Sequence, residues 1–141
     1  MSGCLCLAAL GWLVGAPALK DTAPLTLVGH WECTSLTVNG EAGPPDKCVW
    51  EFARGGKLYR HYGEPPPLEH SYTVDPAKSP AHLDYTDRDG EDTIEAIYKV
   101  EGDTLTLCFS NLSSDDRPSR FESPARSKLR LLTFRRVRPK E

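Results

Sequence analysis

Residues 74–86 read VDPAKSPAHLDYT, residues 96–109 read AIYKVEGDTLTLCF, and residues 117–121 read RPSRF. Together they hold three runs rich in β-branched and aromatic residues, a corner punctuated by Pro76 and Pro80, and a tight turn at Glu101-Gly102-Asp103. Working outward, strands are expected at residues 30–38, 48–52, 58–62, 68–74, 81–85, 93–100, 104–109 and 128–136. The first ends at Asn39-Gly40, a hairpin signal. Residues 41–46 read as a Gly/Pro loop, and the three prolines at 65–67 cannot continue a ladder. Cys48, Trp50 and Phe52 share one face of their strand, and Leu68, His70, Tyr72 and Val74 one face of theirs. Residues 21–27 are a short lead-in. Eight sequential strands with short connections and no helix predict an all-β fold, an eight-stranded antiparallel up-and-down barrel that leaves no exposed edge. A two-sheet sandwich is the alternative.

In this order the blocks resemble an uncharacterised exported domain abundant in planctomycete bacteria and related to lipocalin-like, calycin-type barrels. The residues that carry the likeness are Asp75-Pro76, Ser79-Pro80, Leu83-Asp84, Ile97-Tyr98, Gly102-Asp103-Thr104-Leu105, Cys108 and Arg117-Pro118. Gly29-His30-Trp31 is similar to the Gly-x-Trp entry of lipocalin-like proteins, and the match spans residues 26–137. The resemblance implies that Trp31 plugs the barrel base, with Gly29 beside it and an arginine from the end of the chain stacked on the indole. Arg135 is the first choice for that arginine and Arg136 the next; such a stack contributes roughly 1–2 kcal/mol. Ala96 departs from the pattern, where a glycine commonly precedes the Ile-Tyr pair, and so does the Cys33/Cys48 pair. The family has no assigned catalytic residues, so none carries over.

The 141 residues set a single domain at 19–141 apart from a distinct N-terminal stretch. Residues 1–18 carry no charge, residues 4–14 form an apolar run, and Ala16-Pro17-Ala18 places small residues where a signal peptidase reads. The stretch predicts a signal peptide cleaved after Ala18 and an exported, periplasmic or extracellular protein. No Lys or Arg precedes the run, and Met1-Ser2-Gly3-Cys4 has the look of a lipoprotein box but lacks the polar tether that follows one. The run is too short for a membrane span, so none is expected in the mature chain.

Export leaves Cys33, Cys48 and Cys108. Cys33 and Cys48 are equidistant from the turn at Gly40-Glu41, so they stand opposite each other on adjacent strands, and an oxidising compartment permits a disulfide between them. Cys108 reads as a small buried strand residue, because a catalytic thiol needs a base and no histidine stands near it in sequence. Of the charged residues, eight basic and eighteen acidic lie up to Asp116, against nine and two beyond it. A basic closing strand laid on acidic neighbours accounts for this, and nucleic acid is not expected as a partner.

No residue constellation names a reaction. Glycine-rich phosphate cradles, Ser-His-Asp ordering and nucleotide motifs are missing, so no cofactor is expected. His30, His61, His70 and His82 lie on different strands without the close spacing of metal ligands, so no metal is expected. Asp84 and Glu95 read either as a paired-carboxylate acid/base couple or as ordinary solvent-facing residues. Arg117 reads as an ion-pair partner of Asp84 or Asp103, or as a grip on an anionic ligand at the barrel mouth. Trp31, Trp50, Tyr72 and Tyr98, with Asp84 and Arg117, are the candidate ligand-binding residues of the barrel interior or mouth. A small barrel either fills with side chains or holds one small ligand. The reading that follows is a non-enzymatic module that binds a small apolar or amphipathic molecule or another exported protein. Its alternative is an enzyme working through Asp84 and Glu95 or Cys108.

Overall fold

The structure is a computed structural model that describes residues 24, 26–45, 47–86, 91–110 and 116–138. The expected signal peptide lies outside the described residues. Nine strands follow in chain order: β1 (Gly29–Val38), β2 (Glu41–Gly43), β3 (Val49–Ala53), β4 (Lys57–His61), β5 (Leu68–Asp75), β6 (Ala81–Thr86), β7 (Thr93–Glu101), β8 (Thr104–Ser110) and β9 (Leu129–Val137). All neighbours are antiparallel, in the order β2-β1-β3-β4-β5-β6-β7-β8-β9, and β1 also pairs with β9. That last pairing closes the sheet. β1 and β3–β9 form an eight-stranded up-and-down barrel of lipocalin-like form, and a sandwich of two open sheets is excluded.

The ninth strand corrects the expected loop at 41–46. Asn39 and Gly40 both take positive φ, +52° and +83°, the backbone of a primed two-residue turn, and this turn folds β2 back on β1 with Val38 opposite Glu41. β1 is therefore shared along its length. Its first half pairs with β3 (Gly29 to Glu32) and its last third with β2 (Leu36 to Val38), while β9 runs along the other side. A register shift between Cys33 and Ser35 makes Thr34 a bulge, which Thr34 Oγ1 settles by donating to the Thr133 carbonyl at 3.1 Å.

Period-two alternation sends Trp31, Cys33, Cys48, Trp50, Phe52, Leu58, Tyr72, Leu83, Tyr85, Ala96, Tyr98, Leu105, Leu107, Phe109, Leu132 and Phe134 into one buried core. The centre is filled by rings: Trp50 lies 5.3 Å from Phe134, 5.7 Å from Tyr85 and 6.1 Å from Phe52, centroid to centroid. A second buried layer lies outside the barrel. Ile97 and Cys108 oppose each other on the outward face of β7 and β8, yet both are buried, and the segment 116–128 crosses this face at Cys108. Cys108 Sγ donates to the Glu122 carbonyl at 3.4 Å, and Lys99 Nζ sits 4.9 Å over the Phe121 ring. The same segment reaches the β1–β2 turn, where Ser123 Oγ accepts from Gly40 N–H. A Cβ on Gly40 would stand 2.8 Å from the Ala125 backbone nitrogen, so both the positive φ and the close approach require glycine there.

Candidate functional site

The up-and-down topology sorts the interior into two ends. Trp31 is near the start of β1 and Arg136 near the end of β9, so they share the closed end. Trp50 opposes Trp31 across β1 and β3 and packs at the centre; on its other side, toward the opposite mouth, lie Arg60, Tyr85 and Phe109 near strand ends, with His70 and with Arg130 near the start of β9. Arg60 opposes Trp50 and Arg130 opposes Phe109, so both arginines point inward by register. His70 is buried. Its Nδ1 lies 2.8 Å from the Thr86 carbonyl and its Nε2 accepts from Arg60 Nε at 3.0 Å, a pattern that fits the neutral ring protonated on Nδ1. The Arg60 guanidinium lies 5.5 Å from the Trp50 centroid and 5.8 Å from that of Tyr62. Tyr85 stands edge-on to Trp50, His70 and Phe109, and burial pushes its hydroxyl up while the charges of Arg60 and Arg130 oppose the shift.

Two donors at this mouth stand out. Trp50 Nε1 and Arg130 Nε are buried and have no hydrogen-bond acceptor among the described residues. Burying such a donor without a partner costs about 1–3 kcal/mol each. The mouth thus gathers two guanidiniums and an indole N–H around aromatic faces. This arrangement suits an anionic group carried on an apolar body. Arg60 and Arg130 were not candidates from sequence. The available signal is parity: Arg130 shares its face with Leu132 and Phe134, the two fully inward positions of β9.

At the closed end Trp31 is 0% exposed and its Nε1 donates to the Leu27 carbonyl at 2.9 Å. Arg136, not Arg135, stacks on it, with the guanidinium carbon 4.3 Å from the ring centroid. The reason is register. Trp31 opposes Arg136 and Glu32 opposes Arg135, so Arg135 points outward and pairs with Glu32 at 2.7 Å. Arg136 also donates to the carbonyls of Thr26 (2.7 Å) and Val28 (3.3 Å), fastening the lead-in beneath the barrel. Gly29 makes room: a Cβ there would stand 3.2 Å from Arg136 Nη1. The hydrogen bonds of Arg138 and then Arg136 hold the Asp103 carboxyl below its usual range.

The remaining sequence candidates separate. Asp84 and Glu95 do oppose each other on β6 and β7, but on the outer wall, and Arg117 claims both at 2.6 and 3.8 Å while donating to the Ala96 carbonyl. Asp84 and Arg117 therefore belong to the fastening of the 116–128 segment, not to the interior. Cys108 lies under that segment, and burial pushes its thiol up, away from the nucleophilic thiolate. Cys33 and Cys48 do stand opposite each other, with Cys33 N–H donating to the Cys48 carbonyl at 3.4 Å, but no disulfide joins them and the described cysteines are thiols. Four arginines of the basic end, Arg117, Arg135, Arg136 and Arg138, face carboxylates, at Asp84, Glu32 and Asp103. Arg130 is turned inward instead. Three residues that sequence spacing did not group, His30, Glu51 and His61, come together on the outer wall with ligand atoms within 4.8 Å of one another.

Tyr72 and Tyr98 lie in the closed half. Tyr72 donates to the Ala53 carbonyl at 2.9 Å, and Tyr98 borders an outer cleft of about 560 Å³ with Pro76, Pro80 and Phe121. Burial pushes the Tyr72 hydroxyl up to about 12, and it moves Tyr85 and Tyr98 in the same direction. Unfolded tyrosines titrate near 10, so the native chain holds these protons more tightly. The stabilisation is complete below about pH 10 and drains as pH climbs toward about 12. Denaturation midpoints measured from pH 8 upward are expected to fall through that window, with the raised thiol of Cys108 adding a smaller loss that begins nearer pH 9. Tyr72→Phe is expected to cost about 1 kcal/mol at pH 8 and to flatten part of the fall. A fall of unchanged steepness in the variant would assign the alkaline loss to other groups.

Fold and site together define a closed antiparallel barrel with a filled centre, a tryptophan–arginine plug at one end and a cationic aromatic mouth at the other. No family model matches the chain, and no curated protein or solved structure matches it.

Proposed function

We propose that this chain is a non-enzymatic, exported lipocalin-like binding module whose mouth takes a small amphipathic molecule with an anionic group, a carboxylate or a phosphate. The observation that carries the reading is the buried Arg130 Nε, a cationic donor without an acceptor among the described residues; Trp50 Nε1 is in the same condition. Apolar barrels gain nothing from such groups, and an anion supplies the acceptor that a buried guanidinium N–H lacks. The apolar body of the ligand has the rings of Trp50, Tyr85 and Phe109 to lie on. It does not penetrate further, because Trp50 is packed against Phe52 and Phe134 below. Small ligands are therefore favoured over long acyl chains. Export rests on the uncharged apolar run at residues 4–14 and the small residues at 16–18.

The test is displacement of an environment-sensitive apolar dye from the purified protein by octanoate, octanol and octylammonium. A charge-assisted hydrogen bond contributes about 1.5–3 kcal/mol, so octanoate is expected to bind about 10–100-fold more tightly than octanol, with octylammonium weakest. Equal affinities for the three, or no displacement by any, would remove the anion from the reading.

A further inference from the structure

The geometry points to a binding site for a divalent transition-metal ion, of the zinc, copper(II) or nickel class, formed by His30, Glu51 and His61 on the outer wall of the barrel. The three residues come from β1, β3 and β4, and the sheet brings them together. His30 is directly opposite Glu51, and His61 follows the inward Arg60 on the next strand, opposite Val49, so it lies diagonal to Glu51 on the same outward face. Neighbours at these positions are within side-chain reach in any antiparallel sheet.

Both imidazoles address one oxygen. His61 Nε2 lies 3.0 Å and His30 Nε2 3.5 Å from Glu51 Oε1, and all three ligand atoms fall within 4.8 Å of one another. An ion bound at about 2.0–2.2 Å from imidazole nitrogen and carboxylate oxygen sets its ligand atoms roughly 3.0–3.5 Å apart. Two edges of the triangle already have that length. The third closes by small rotations of side chains that are half exposed (His30) and about one-third exposed (His61). Two separate ion pairs would have a second carboxylate oxygen to use, so convergence on one oxygen is the arrangement a single centre needs. The rings are tilted by 32° with centroids 6.1 Å apart, so they do not stack flat and both nitrogens aim inward to the carboxylate.

The donor set chooses the metal. Two imidazoles and one carboxylate suit zinc, copper(II) and nickel, whereas calcium and magnesium demand oxygen ligands. Three protein ligands also leave coordination positions for water or an exogenous ligand. The site joins three strands that lie consecutively around the barrel wall, so a bound ion cross-links β1, β3 and β4. It is independent of the mouth, which lies on the inward faces.

Isothermal titration of zinc chloride into the purified protein tests the inference, alongside His30→Ala, His61→Ala, Glu51→Gln and, as a control on a histidine elsewhere, His82→Ala. One equivalent of zinc is expected to bind wild type and His82→Ala alike. Each variant in the triad is expected to bind at least about tenfold more weakly, and the His30→Ala/His61→Ala double variant not measurably. Saturating zinc is expected to raise the thermal midpoint of wild type on the order of 5–10 °C and that of the double variant not at all. Cobalt(II) reports on the ligands themselves: a spectrum without thiolate-to-cobalt charge transfer is expected. Zinc binding that survives in the double variant, a cobalt complex with thiolate charge transfer, or no zinc binding by the wild type would each overturn the site. Circular dichroism of the variants separates loss of ligands from loss of fold, and an unfolded variant is replaced by its His→Gln counterpart.

Discussion

Trp31→Ala is expected to remove about 3–5 kcal/mol of folding stability, a large part of what a domain of this size possesses. The indole is fully buried at the seam where β1 meets β9. Its loss opens a cavity, strips the Arg136 guanidinium of the ring face 4.3 Å away, and leaves the Leu27 carbonyl without its donor. Trp31→Phe keeps a ring and loses the N–H, so about 1–2 kcal/mol is expected there. The arginine half of the plug is separable by a double-mutant cycle with Arg136→Met, for which a coupling of about 1–2 kcal/mol is expected. Arg135→Ala is the control. Its pair with Glu32 is solvent-exposed, so a cost below about 1 kcal/mol is expected from chemical denaturation. If Arg135→Ala cost as much as Arg136→Met, the stacking partner would be the other arginine.

That one-residue choice marks where the sequence stopped being legible. Strands were readable because alternation survives on a closed sheet: Cys48, Trp50 and Phe52 are all inward, as are His70 and Tyr72. Asn39-Gly40 announced its turn by chemistry alone. The strand that pairs with β1 beyond that turn was hidden, since Glu41-Ala42-Gly43 is short, wholly exposed and has no alternation to read. Choosing between Arg135 and Arg136 needed the β1–β9 register, a pairing between the two ends of the chain that no local signal specifies. Parity within β9 did contain the answer, because Phe134 is inward and Arg136 is two residues on.

The sites were less legible than the fold, for physical reasons. Asp84 and Glu95 were correctly seen as neighbours across strands, but the guanidinium that neutralises them arrives from a segment whose course over the outer wall no periodicity encodes. Ile97 and Cys108 are buried outside the barrel for the same reason, so burial at those positions says nothing about an interior site. The triad of His30, Glu51 and His61 has no sequence spacing at all, because three separate strands supply one ligand each. Arg60 and Arg130 were hidden by the ordinary assumption that a charged residue in a strand faces water.

Arg130 is where that assumption yields a prediction with two opposite signs. Arg130→Met keeps the apolar stem of the side chain and removes a buried donor that has no acceptor among the described residues. Replacing a partly buried guanidinium whose Nε lacks an acceptor among the described residues by an apolar side chain removes that cost, so a gain of about 1 kcal/mol is expected in the ligand-free protein. Octanoate affinity is expected to fall at least about tenfold in the same variant. Arg60→Met is expected to lose the same affinity but also to lose stability, about 1 kcal/mol, because His70 Nε2 would then lack the donor 3.0 Å away. A purely structural Arg130 predicts the reverse, destabilisation with binding untouched, and that result would end the anion-binding reading. The paired measurement matters because either number alone is ambiguous. A stability gain bought by losing recognition is what separates a residue kept for binding from one kept for the fold.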